Sequence, residues 1–272
     1  MFFLFSKDEN VAKAQQIMLE ILLEIHRICE DNNLIYWLDA GTLLGAIRHK
    51  GFIPWDDDCD ISMPRKDYNK FLAIAQEYLP NNMFLQHKGT DKKYPENFAK
   101  VRMLGTELIE HDEDGTEDYC HGIFVDIFPY DRYDYEWFMN WMKWLNGIRS
   151  KKGKYKKGSI KRTFVSLYVN VILFIPLQIS YIAKKFFIKN KSIICSKEGM
   201  FFTYGLECCP IRMTKIDDIL PVCKGQKIFE GYDFCIPNNS DAVLKNNFGN
   251  DYMILPPIEK RGTHAKRIVI NI

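Results

Sequence analysis

Apolar residues recur at three- and four-residue steps through Val11, Ala14, Ile17, Ile21, Ile25 and Ile28, which predicts an amphipathic helix over residues 11–30. Residues 34–38 form a short apolar run, the pattern of a buried strand, and lead into Asp39-Ala40-Gly41-Thr42. Thr42 is a helix-capping residue type, so a helix is expected over 43–49, with Gly51 ending it. After Pro54, residues 55–61 predict a second strand with an acidic entrance. Pro64 opens a helix running to about residue 78. Residues 83–86, 98–103 and 107–110 predict further strands, and 123–128 another that Pro129 ends. Helices and strands thus alternate through the first 130 residues, and the fold class expected is α+β.

The pattern then changes. Residues 137–148 predict an aromatic-rich helix, 150–161 a Lys/Gly linker, and 164–183 a stretch of 20 residues without a charge. As a helix this stretch is about 30 Å long, the thickness of a hydrocarbon core. Asn170, Gln178 and Pro176 argue against a simple span. Ser166, Asn170 and Gln178 lie four and eight steps apart and share a face, which suits a helix lying in a membrane interface with Lys on both flanks. A buried hairpin bent at Pro176 is the bland alternative.

The 272-residue chain is 47% hydrophobic and 26% charged, which excludes a disordered or fibrous protein. Its net charge of +2 conceals an asymmetry. Residues 137–197 carry 14 Lys or Arg and no Asp or Glu, leaving 23 basic residues to face 35 acidic ones elsewhere. The basic part and the acidic part are expected to meet different partners. The eight cysteines include no Cys-x-x-Cys pair, and the apolar start at residues 1–5 is too short for a signal peptide, so reduced thiols in the cytoplasm are expected. The spacing of Cys208, Cys209, Cys223 and Cys235 fits no usual zinc pattern.

Asp56, Asp57, Asp58 and Asp60 place four carboxylates in five positions, between apolar Ile53-Pro54-Trp55 and Ile61. On a strand, positions 58 and 60 face the same way. Two carboxylates ~4 Å apart repel by about 4 kcal/mol at an effective dielectric near 20, and a shared proton or a cation relieves this. Hard oxygen ligands suit Mg²⁺ or Mn²⁺, which also bring phosphates. Gly41-Thr42 precedes the acids on a turn that opens a helix, where unpaired N–H groups can meet a phosphate. This order, with a third carboxylate from a neighbouring strand, is the nucleotidyltransferase arrangement. Asp126, set in Phe124-Val125-Asp126-Ile127-Phe128, is the candidate third carboxylate, because a charge among four apolar residues needs a partner.

The run from Trp37 to His49, Trp37-Leu38-Asp39-Ala40-Gly41-Thr42-Leu43-Leu44-Gly45-Ala46-Ile47-Arg48-His49, followed by Pro54-Trp55-Asp56-Asp57-Asp58-Cys59-Asp60-Ile61, resembles the LicD family. Asp126-Ile127-Phe128-Pro129-Tyr130-Asp131 resembles its second block. Phe248-Gly249-Asn250-Asp251-Tyr252, Pro256-Pro257, Lys260-Arg261 and His264 resemble its C-terminal block. Cys59 stands where the family usually has Ile or Val, a small apolar exchange.

The resemblance implies a nucleotidyltransferase-like mixed sheet with flanking helices, joined here by an additional helical, basic and apolar segment. It implies one catalytic domain over 1–272, with a core of about 30–135 plus 192–272 and a helical insertion over about 136–191. It further implies transfer of phosphocholine or a similar phospho-alcohol from a CDP-activated donor, such as CDP-choline, to a sugar hydroxyl of a cell-surface glycan. Asp58, Asp60 and Asp126 are then the catalytic and metal-binding residues, with Mg²⁺ or Mn²⁺ as cofactor. Asp126 is also a candidate base for the acceptor hydroxyl, and Asp56 and Asp57 support the turn. Gly41, Thr42, Arg48, Lys100, Arg102, Lys260, Arg261 and His264 are the candidate substrate-binding residues.

Choline's quaternary ammonium calls for aromatic rings. Tyr36, Trp37, Trp55, Tyr119, Phe124, Phe128 and Tyr130 lie near the motifs, among 38 aromatics in all. A glycan carried on a lipid makes sense of membrane contact through about 151–191, and the expected location is cytoplasmic, peripheral at the inner membrane face. Nucleic acid is the weaker alternative for the 14 basic residues, as an RNA-modifying nucleotidyltransferase or a plain binding module. A binding module has no use for the carboxylates around Asp58, and the apolar stretch suits lipid better than RNA.

Overall fold

The structure, a computed structural model, describes residues 9–111, 113–133, 201–204, 213–225 and 228–270, with isolated positions between 140 and 208. The segments predicted over 137–148, 150–161 and 164–183 lie outside the described residues apart from such isolated positions. Two compact units divide the chain: Met1–Tyr130 with Ile216–Ile272, and Asp131–Lys215.

The first unit opens with α1 (Glu9–Asp31), whose apolar stripe, including Ile17, Ile21, Ile25 and Ile28, is buried. α1 packs on α3 and on strands β4 and β9, defined below. Strand β1 (Trp37–Leu38) leads to α2 (Ala40–Arg48), and β2 (Asp60–Pro64) leads directly to α3 (Arg65–Tyr78). Then come β3 (Met83–Gln86), β4 (Ala99–Met103), β5 (Thr106–Glu110) and the long β6 (Phe124–Tyr133). The sheet order is β1-β2-β6-β4-β3. β2 and β6 are parallel, and the other pairs along this path are antiparallel. The fold is therefore α+β with a mixed sheet, as the alternating pattern predicts. A parallel pair needs a long crossover, and the chain between β2 and β6 supplies it.

In the second unit, β7 (Phe201–Tyr204) pairs antiparallel with β8 (Thr214–Lys215). The first unit resumes with the short α4 (Ile216–Ile219), then α5 (Ser240–Phe248), capped by Asn239, and a 3-10 turn at Ile258–Lys260. Strand β9 (Ala265–Ile270) closes a separate two-stranded sheet with β5, running from Thr106↔Ile270 to Glu110↔Ala265. The C-terminal block is thereby returned to the acidic loop.

Three local expectations are corrected. α2 starts at Ala40 and its cap is Asp39, whose carboxylate accepts from the Ala40 N–H at 2.8 Å. Thr42 lies inside the helix, and its hydroxyl accepts from the Asp60 N–H at 2.8 Å. Asp39 sits at the end of β1, already turned out of the strand, so it reaches the first free N–H before Thr42 can. Residues 55–59 form a loop, and β2 begins only at Asp60, because the acids before it face a cavity and not a neighbouring strand. Pro129 does not end β6. It pairs with Met63 in a parallel ladder, at a place where its missing N–H does not break the strand.

Candidate active site

The strand registers set the centre of the site. Asp60 is opposite Asp126 across the parallel pair, and Lys100 of β4 is opposite Asp126 on its other side. Cross-strand partners share a face of the sheet, so two carboxylates and an ammonium stand in a row. Lys100 Nζ lies 2.9 Å from Asp126 Oδ1 and 3.5 Å from Glu110 Oε2. Burial pushes the Asp60 carboxyl well above the usual carboxylate range, and Asp58 and Asp126 push the same way. Burial raises Asp126 to about 6, against the pull of Lys100.

The acidic loop is held from three directions. Gln15 of α1 donates to the carbonyls of Ile53 at 3.0 Å and Asp56 at 2.6 Å. Asp57 is buried and accepts from the backbone N–H of His264 at 2.7 Å and of Ala265 at 2.6 Å. The fully buried Asp39 accepts from Ser62 Oγ at 2.5 Å and from the Tyr130 hydroxyl at 2.9 Å, tying the start of α2 to β2 and β6.

His264 Nδ1 reaches Asp58 Oδ2 at 3.0 Å. That hydrogen bond raises the histidine to about 9, so it is a cation at neutral pH. Burial works to raise Asp58, but the hydrogen bonds with His264 and Asp56 prevail and hold it below the usual value. Burial, with Asp58 beside it, drives Asp56 well up. Asp56 and Asp58 thus shift in opposite directions, as two interacting carboxyls do.

A cavity of about 630 Å³ opens over this centre, lined by Gly41, Arg48, Trp55, Asp56, Asp58 and Asp60 on one side and by Asp251, Tyr252, Ile254, Lys260 and His264 on the other. Arg48 Nη1 donates to the Tyr252 carbonyl at 2.8 Å, joining α2 to the C-terminal block. A Cβ on Gly41 would lie 2.8 Å from Asp56 Oδ2, so only glycine leaves the acids their room. Trp55, one of the aromatics the sequence offers for the site, does line the cavity, whereas Asp251 and Tyr252 belong to a motif block that gives no role to either.

Not every candidate from the sequence reaches this cavity. Lys100 and Arg102 are buried and line a second cavity of about 360 Å³, with Asp126. Arg102 is also a brace, donating to Gln86 Oε1 at 2.5 Å and to the Gly122 carbonyl at 2.7 Å. Arg261 stacks its guanidinium 4.7 Å from the Trp55 ring centre and donates to the Pro256 carbonyl. Tyr36, Trp37 and Tyr130 are buried in the core.

The residues fit a hard divalent cation. Carboxylate oxygens crowd one place, and burial pushes Asp56, Asp60 and Asp126 up, a cost that a bound cation relieves. Asp56, Asp57 and His264 have ligand atoms within 4.8 Å of one another, but both Asp57 oxygens already accept backbone hydrogen bonds. This trio differs from the Asp58, Asp60 and Asp126 set suggested by the sequence.

A helix start beside an acidic strand, with a further carboxylate on the parallel neighbour, defines a nucleotidyltransferase-like site. Residues 33–171 match the sequence model described as LicD/FKTN/FKRP, nucleotidyltransferase domain, and the chain belongs to this family. It is 29% identical over 269 residues to the lipopolysaccharide cholinephosphotransferase LicD of Haemophilus influenzae, covering 95% of this chain and 97% of the relative. It is 45% identical over 40 residues to the human ribitol 5-phosphate transferase FKRP, 15% of this chain and 8% of that protein. Among the described residues, no helix is long and apolar enough to cross a membrane.

Proposed function

We propose that the protein transfers phosphocholine, or a similar phospho-alcohol, from a CDP-activated donor to a sugar hydroxyl of a cell-surface glycan. The observation that carries this reading is the Asp60 and Asp126 pair beside a large cavity furnished with Arg48, Lys260 and Trp55. Likeness along nearly the whole chain to a lipopolysaccharide cholinephosphotransferase supports phosphocholine as the group moved.

Asp58, Asp60 and Asp126 are the residues to hold Mg²⁺ or Mn²⁺. The cation supplies positive charge to the donor's pyrophosphate and to the departing CMP. Gly41 and the first turn of α2 lie against the phosphates, and Arg48 and Lys260 add charge from the cavity walls. His264, cationic through Asp58, keeps that carboxylate aimed. Asp126, held near 6, is a competent base at neutral pH for the acceptor hydroxyl. Lys100 fixes its orientation.

The catalytic domain comprises about residues 30–135 and 192–272, with an insertion over about 136–191 that lies outside the described residues apart from isolated positions. That insertion rests on the inner face of the membrane, where a lipid-linked acceptor is within reach. Flotation of the intact protein with anionic liposomes at low salt tests this, and failure to float rejects it.

The reaction is tested by CMP release from CDP-choline, CDP-ribitol and CDP-glycerol with Mg²⁺, Mn²⁺ or EDTA, with and without a crude glycolipid acceptor. Release from one donor, abolished by EDTA and by Asp58→Asn, is expected. No binding of any cytidine nucleotide in the presence of metal rejects the reading.

A further inference from the structure

The smaller cavity lies on the Asp126 side of the carboxylate pair, and its chemistry differs from that of the larger one. Three rings, Tyr94, Phe98 and Tyr119, line it. Tyr94 packs edge-on to Phe98 at 6.5 Å and to Tyr119 at 6.2 Å between ring centres. Glu96, Glu110, Glu113, Glu117 and Asp126 also line it, against Lys100 and Arg102 as its basic residues. Lys100 answers Asp126 and Glu110. Arg102 is occupied by Gln86, the Gly122 carbonyl and the Phe124 ring. Glu113 accepts from the Tyr119 hydroxyl at 2.7 Å, and Glu117 accepts backbone N–H groups of residues 114 and 115. His121 stands between the two, its Nδ1 3.6 Å from Glu113 and its Nε2 3.6 Å from Glu117, and even so the acidic residues outnumber the basic ones around the cavity. The Tyr94 hydroxyl is buried, with the residue only 3% exposed, and it meets no hydrogen-bond partner among the described residues.

Excess negative charge and aromatic faces in one enclosed space call for a cationic ligand with an apolar skin. A quaternary ammonium has that character. A bare metal ion has no use for three rings, and an anion is repelled.

We infer that this cavity binds the trimethylammonium end of the donor's alcohol, with Tyr94, Phe98 and Tyr119 as its walls and the glutamates as its field. The inference rests on the transferase reading. Asp60 lines the larger cavity and Asp126 the smaller, and the two are register partners. A donor lying across the carboxylate pair therefore puts cytidine on one side and alcohol on the other. The alcohol is then choline in preference to an uncharged polyol.

Isothermal titration in Mg²⁺ with CDP, CDP-choline and CDP-ribitol tests this on the full chain, with Tyr94→Leu and Glu96→Gln as variants. CDP-choline is expected to bind about tenfold more tightly than CDP-ribitol. Tyr94→Leu is expected to erase that difference while leaving CDP within about twofold. Glu96→Gln, an exposed change that spares the fold, is expected to weaken CDP-choline alone, by about threefold. Equal affinity of the wild type for both donors overturns the cation site and leaves the transferase reading standing. So does parallel weakening of CDP and CDP-choline by Tyr94→Leu with no effect of Glu96→Gln. If CDP itself does not bind, the transferase reading falls and the cation site falls with it.

Discussion

Asp60→Asn separates what the acidic centre costs the fold from what it does for the reaction. Asp60 faces Asp126 across neighbouring parallel strands, a spacing of about 4.8 Å. With both ionised they would repel by about 3 kcal/mol at an effective dielectric near 20, so the folded state either bears that cost or keeps a proton on Asp60, and either one lowers stability at pH 7.5. The contacts found for the Asp60 side chain include no basic partner, so asparagine orphans no cation there. The metal-free variant is therefore expected to be more stable than wild type by about 3 kcal/mol at pH 7.5, read from urea unfolding in EDTA. The sign follows from the pKa. Folding raises the Asp60 carboxyl far above its unfolded value near 3.9, so the folded state holds the extra proton. Stability then falls as pH rises from that unfolded value through the folded one. The variant escapes this fall, and its advantage vanishes by about pH 3.5. Mg²⁺ is expected to stabilise wild type and to do little for the variant, while CMP release by the variant is lost. A variant less stable than wild type at pH 7.5 without metal, or equal stabilisation of both by Mg²⁺, refutes the reasoning.

Asp39→Ala removes a helix cap and leaves the Ser62 and Tyr130 hydroxyls buried without their acceptor. A loss of about 3–5 kcal/mol is expected in urea unfolding, and a loss below about 1 kcal/mol contradicts a structural role for this carboxylate. His264 is raised to about 9 by its bond to Asp58. Its stabilising contribution is full below about pH 6.5 and is lost as pH rises through about 9. Thermal unfolding in EDTA is therefore expected to show a decline between those values that His264→Gln flattens. Gly41→Ala drives a methyl group to 2.8 Å from Asp56 Oδ2. It is expected to cut CMP release by about 10²-fold through displaced carboxylates, with little change in melting temperature; full activity in the variant excludes tight packing at this point.

The motif residues close in sequence were readable because their chemistry is local. Four aspartates in five positions repel whatever the fold, and Asp126 among apolar neighbours demands a partner. Lys100 and Arg102 were legible as basic residues two apart on one strand, but not as buried ones. Their cavity exists only because β4 lies beside β6, with Tyr94 on the connection between β3 and β4 and Tyr119 on that between β5 and β6. Asp39 and Thr42 are both residue types that cap a helix, and the choice between them depends on where β1 ends.

The sequence by itself determined the alternation of helices and strands, the acidic cluster and the family motifs, since these depend on residue type and short spacing. Tertiary structure alone decided that Asp60 and Asp126 share a register, that the C-terminal block returns through Asp57 and His264, and that two cavities of different charge meet at the carboxylate pair. Asp60 and Asp126 are 66 positions apart, and Asp57 and His264 are 207 apart. Such pairings are set by strand order and by buried hydrogen bonds, and periodicity along the chain carries no record of either.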